Sequence, residues 1–105
     1  MSLKIIFMGT PEFAVPILKT IHDSNHKILA VYTQSPKKKN RGLKNFLSPV
    51  QIFSEKNNLN IRSPEKINSE EELDYLKKSK PDVIIVVAYG KILPKKYYQF
   101  RIFIL

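Results

Sequence analysis

The residues able to do chemistry gather at three places. The first is Gly9-Thr10, which follows the apolar run Leu3–Met8 and precedes Pro11-Glu12-Phe13-Ala14-Val15-Pro16. A glycine-led turn at the carboxyl end of a buried strand leaves backbone N–H groups available to an anion or a carbonyl. The second is Ala88-Tyr89-Gly90-Lys91, directly after the apolar run Val83–Val87. The third is a basic segment holding Lys37, Lys38, Lys39, Arg41 and Lys44, with no acid between Asp23 and Glu55. Five clustered cations can neutralise up to about five phosphates and give salt-sensitive binding. No aromatic ladder interleaves them, so this segment would grip a polyanion's backbone without stacking on bases.

Other chemistries lack their residues. The chain has no cysteine, which removes a disulfide framework, thiol catalysis and a thiolate metal site. A dinucleotide fingerprint needs three glycines at fixed spacing, and only Gly9 is present after the first apolar run. No Gly-Lys-Ser/Thr phosphate loop occurs. His22 and His26, the two histidines, fall at or beyond the end of the first helix. About ten helical residues carry the chain ~15 Å away from the strand-carboxyl rim, so neither histidine is placed as a general base there. The acids Glu70, Glu71, Glu72 and Asp74 belong to a helix start expected at the far edge. Leu3–Met8 is too short for a secretory signal, and nothing approaches the ~20 apolar residues of a membrane span. The expected setting is the cytoplasm, with no membrane partner. The net charge of +9 is partly local to the basic segment and suggests an anionic partner.

The elements that must position these groups read as an alternation. A chain of 105 residues allows one domain with a modest core. Leu3–Met8 is the first strand. Phe13, Ile17 and Ile21 recur every four residues and mark a helical face. Pro16 is tolerated only within the first turn, so regular helix is expected from near Phe13. Lys27–Tyr32 is the second strand and Thr33–Phe46 a polar loop. Ser48-Pro49-Val50-Gln51 and Ser69-Glu70-Glu71-Glu72 are capping boxes that start the second and third helices. Leu59–Ile61 is a brief third strand, and Pro81 stops the third helix after about Ser79. Asp82–Val87 is the fourth strand, its unbroken apolar run indicating burial on both faces. This β-α-β-α-β-α-β succession predicts an α/β fold, a Rossmann-like open parallel sheet of order 3-2-1-4. The crevice then lies between the first and fourth strands, where the turns at Gly9-Thr10 and Gly90-Lys91 meet. The exposed fourth strand needs a cover, and the apolar tail Ile102–Leu105 is expected to supply it.

Phe7-Met8-Gly9-Thr10-Pro11-Glu12-Phe13-Ala14-Val15-Pro16-Ile17-Leu18 closely resembles the amino terminus of the bacterial methionyl-tRNA formyltransferases. So do Val31-Tyr32-Thr33-Gln34, Arg41-Gly42 with Leu47-Ser48-Pro49-Val50, and Pro81-Asp82-Val83-Ile84-Ile85-Val86-Val87-Ala88-Tyr89-Gly90-Lys91-Ile92-Leu93-Pro94. The resemblance covers residues 1–96 as a partial formyltransferase domain, with 97–105 a divergent tail. It implies transfer of a formyl group from 10-formyltetrahydrofolate to the methionyl amino group of initiator tRNA, without a metal. It implies that Gly9 and Thr10 line the site near the aminoacyl end. It also implies that Gly90, Lys91, Ile92 and Leu93 line the folate pterin pocket, and that Lys37, Lys38, Lys39, Arg41 and Lys44 engage the tRNA. In the family the catalytic asparagine and histidine lie on the next strand, followed by an aspartate. The chain reads Tyr97-Tyr98-Gln99-Phe100-Arg101-Ile102-Phe103-Ile104-Leu105 there. The expectation is a truncated formyltransferase, inactive alone. The alternatives are half of a split enzyme completed by a second fragment, or a non-catalytic RNA- or folate-binding module.

Overall fold

Alternation along the first strand dictates the layers. In the computed structural model, which describes residues 2–34, 37–38 and 45–105, β1 spans Lys4–Gly9 and is buried from Ile5 onward. Ile6 and Met8 point to one face of the sheet, Phe7 to the other. Period-two alternation with apolar residues on both sides requires cover on both faces. The chain provides it with α1 (Val15–His22) and α2 (Pro49–Lys56) on the Phe7 face and α3 (Glu70–Ser79) on the Ile6 face.

Four further strands complete the sheet: β2 (Lys27–Tyr32), β5 (Ile61–Arg62), β6 (Val83–Val87) and β7 (Ile102–Ile104). Their order is β5-β2-β1-β6-β7, and each neighbouring pair is parallel. The expected order of the first four sheet strands therefore holds, and the apolar tail adds a fifth beside β6. Ile84 pairs with Ile102 and Val86 with Ile104, so the tail satisfies the edge that β6 would otherwise expose.

Between β2 and α2 the expected polar loop contains a small antiparallel ribbon, β3 (Lys37–Lys38) with β4 (Asn45–Phe46). The third sheet strand lies slightly later than Leu59–Ile61, because Val31 and Tyr32 pair with Ile61 and Arg62. The first helix is entered through a 3-10 turn at Glu12–Ala14, and Pro16 sits in the first turn of α1, where its missing N–H has no intrahelical partner to lose.

Both serine caps form. Ser48 Oγ accepts from Gln51 N at 3.0 Å and Ser69 Oγ from Glu72 N at 3.3 Å. The reciprocal half of each box is replaced by other bonds: Gln51 Nε2 donates to Glu55, and the Glu72 carboxylate turns into the protein. A second 3-10 turn, Lys95–Gln99, buries Tyr97 against the α3-side core and leads into β7. No helix among the described residues is long and apolar enough to cross a membrane.

Candidate functional site

The order β5-β2-β1-β6 reverses direction between β1 and β6, and Gly9 pairs with Val87 at the carboxyl ends of these two strands. An open α/β sheet binds ligands at such a reversal. Gly9 is glycine for a steric reason. A Cβ there would lie 2.8 Å from Phe7 Cε2 and 2.9 Å from the Val87 carbonyl oxygen.

Thr10 then fastens the turn to its neighbours. Its Oγ1 donates to the Tyr89 carbonyl at 2.7 Å and accepts from the Gln34 backbone N–H at 3.4 Å. The Gln34 side chain donates through Nε2 to the same Tyr89 carbonyl at 3.2 Å. One carbonyl thus ties together the segments that follow β1, β2 and β6. On the other side, the Val50 N–H of α2 donates to the Thr10 carbonyl at 3.5 Å, and Ser48 shares a 2.6 Å hydroxyl bond with Thr33.

The segment after β6 makes a sharp turn through two left-handed residues, Ala88 (φ 51°) and Gly90 (φ 93°). Lys91 does not reach into the crevice. Its Nζ donates to the carbonyls of Pro64 and Glu65, both at 2.8 Å, which straps the segment to the loop after β5. Lys96 and Tyr97 repeat the device on Asn68 and Ile67. Between these anchors Ile92 is 92% exposed, while Leu93 packs against the α3-side core. Lys91, Ile92 and Leu93 line a hollow of about 500 Å³ together with Val86, Tyr98, Phe100, Ile102 and Ile104.

Gly9, Thr10 and Gly90 are therefore brought together, and Lys91–Leu93 continue from them along the β6–β7 side. Lys37 and Lys38 stand on the ribbon after β2, whereas Lys39, Arg41 and Lys44 lie outside the described residues. The histidines are at the opposite rim: His26 Nδ1 accepts from Leu3 N at 3.0 Å, and His22 meets the Phe53 ring edge-on. β7, the neighbour of β6, presents Ile102, Phe103 and Ile104, none of which can give or take a proton. Among the described residues no group of three or more His, Cys, Asp or Glu is placed to hold a metal.

Two features escaped the sequence reading. Gln34, although it ends the stretch Val31–Gln34 that resembles the family, was given no role, because its partner Tyr89 lies 55 positions downstream. Glu72, read as one of the acids of the capping box that starts the third helix, is buried and accepts from Tyr32 Oη at 2.8 Å, Arg62 Nε at 2.9 Å and Arg62 Nη2 at 3.1 Å. Burial alone would raise the pKa of its carboxyl, but the bonds from Arg62 and Tyr32 outweigh that and hold it below the usual range. Burial, reinforced by the Glu72 carboxylate, drives the Tyr32 phenol upward. The same two causes push Tyr97 up to about 12. This network fixes the carboxyl ends of β2 and β5 against α3.

The family model for formyl transferases matches residues 3–101. Methionyl-tRNA formyltransferase from Pelagibacter ubique is 53% identical over 98 residues, covering 92% of this chain and 32% of that protein. The enzyme of the same name from Clostridioides difficile is 49% identical over 97 residues, covering 92% of this chain and 31% of its own length. That from Anaplasma marginale is 44% identical over 93 residues, covering 89% and 31%. The chain thus spans a little under a third of the length of these relatives. With the strand order, the crevice and the family match in agreement, the chain belongs to the formyl transferase family.

Proposed function

We propose that this chain supplies the receiving part of a methionyl-tRNA formyltransferase site, acting in the cytoplasm. The observation that carries the reading is the joined pair of turns at the β1–β6 crevice, Thr10 bonded to Tyr89, beside the hollow lined by Lys91, Ile92 and Leu93. In this reading the formyl donor is 10-formyltetrahydrofolate, with its pterin against Gly90–Leu93. The acceptor is the amino group of methionine on initiator tRNA, arriving over Gly9 and Thr10. Lys37, Lys38, Lys39, Arg41 and Lys44 hold the RNA backbone weakly and by charge.

Attack of the amine on the formyl carbon makes a tetrahedral oxyanion, the amine gives up a proton, and collapse of the intermediate breaks the bond to the folate nitrogen and releases tetrahydrofolate. The step needs a base for the proton and a donor for the oxyanion. The resemblance puts those groups on the strand beside β6, and here that strand is Ile102-Phe103-Ile104. The reaction therefore requires groups from outside these residues, either further along a longer polypeptide or from a complementing fragment.

The test is formylation of methionyl-tRNA by residues 1–105 alone and after mixing with the part of the Pelagibacter relative that the match leaves uncovered. The expected result is background turnover alone and measurable turnover in the mixture. Turnover by the isolated chain would overturn the incomplete-site reading, and none in the mixture would overturn complementation. The cation cluster also favours a second reading, a non-catalytic RNA-binding module. A gel shift with an acceptor-stem RNA decides it, and absence of binding at low salt removes it.

A further inference from the structure

We infer that Gln34 is a positioning residue for the Gly90–Leu93 segment, setting how that segment stands against the Gly9-Thr10 turn. The inference rests on the folate reading above and adds to it a residue on another strand's exit. The Tyr89 carbonyl has two donors, Thr10 Oγ1 and Gln34 Nε2, which arrive from the ends of β1 and β2. Thr10 fixes the turn to β6 whatever residue occupies position 34. The Gln34 amide does something further, because it lies against the next residue. A Cβ on Gly90 would fall 1.7 Å from Gln34 Nε2, so the side-chain amide occupies the space that a side chain at position 90 would need.

Gly90 is thereby seated directly on the amide while held at φ 93°. One residue later the chain is anchored again, through the Lys91 side chain on the carbonyls of Pro64 and Glu65. Ile92 and Leu93, which line the hollow with Lys91, follow directly on these two anchors, and Ile92 is exposed. Loss of the amide frees Gly90, a residue with unusually wide conformational freedom, to turn about its backbone. The Lys91 strap would remain and the strand would stay paired. The expected consequence is a misplaced binding segment on an intact fold.

The experiment compares wild type, Gln34→Met and Gln34→Ala as the full 105-residue chain. Met keeps most of the side-chain volume and removes the donor; Ala removes both. Affinity for 5-formyltetrahydrofolate, a stable stand-in for the formyl donor, is measured by calorimetry beside the thermal midpoint. Both variants are expected to keep a cooperative transition, with affinity reduced about ten-fold, the scale of one lost hydrogen bond. The Gly90 amide resonance should move in both. Unchanged affinity in Gln34→Met and Gln34→Ala would overturn the role of Gln34 and leave the folate reading standing. No binding by wild type would remove the folate reading and this inference together. Loss of affinity in proportion to loss of folded protein would also overturn it, since that is a structural effect.

Discussion

At Gly90 two requirements coincide: a φ of 93° and an amide group already in the place of a side chain. Gly90→Ala is expected to cost about 2–3 kcal/mol, combining left-handed strain with an overlap. In a Gln34→Ala background the overlap vanishes and the cost should shrink toward the strain alone; a double-mutant cycle in urea measures the difference. Glu72 supplies the second residue-scale expectation. Its carboxyl titrates below the ordinary range in the folded chain, so its contribution is present above the unfolded value and is lost as pH falls through the lowered one. Glu72→Gln should therefore flatten the acid limb of stability against pH, read from urea midpoints between pH 3 and pH 7. Glu72→Ala strands the Arg62 guanidinium and the Tyr32 hydroxyl, at a cost of about 3 kcal/mol. Gly9 and Thr10 were legible in the sequence because a glycine after an apolar run announces a turn. Gln34 and Glu72 were not, since what defines them is a partner on another strand.

The helices show which local signals survive folding. Ser48 and Ser69 cap as their sequences indicate, because a cap is made within four residues. Neither Gln51 nor Glu72 closes the reciprocal half of the box: Gln51 turns to Glu55 one turn along its own helix, and Glu72 to Tyr32 and Arg62 on neighbouring strands. Ser69→Ala is accordingly expected to cost about 1 kcal/mol, the loss of one cap bond, measurable as a lowered thermal midpoint. The strands β1, β2 and β6 could be read from apolar runs of four or five residues. The two-residue β5 reads slightly early in the sequence, as Leu59–Ile61, and the β3–β4 ribbon reads as loop, because at that length pairing partners rather than pattern decide the assignment. The strand β7 was legible only as an apolar tail with a neighbour to cover. Its parallel direction follows from the 3-10 turn at Lys95–Gln99, which carries the chain back to the amino-terminal end of β6.

Across the whole molecule, the order of strands was readable because alternating strand and helix patterns admit few arrangements, and the crevice follows from that order. The substrate-side chemistry was not, since it depends on which groups stand beside β6. The outer side of β7 now forms the sheet's edge, with Phe103 58% and Ile104 75% exposed. An apolar edge invites pairing between chains. Concentration-dependent association is expected in light scattering, and Ile104→Lys should suppress it without changing the far-ultraviolet circular dichroism. The pairing of β1 with β6 carries a consequence for how the chain comes into being. Lys4 N meets Asp82 Oδ2 across 78 positions, and Gly9 must wait for Val87. On the ribosome β1 emerges well before β6, and the flank that β6 covers stays open until Val83–Val87 has been translated. Until β6 has followed, the nascent chain displays an unpaired flank of its central strand, the condition in which a cell's holding chaperones find their clients.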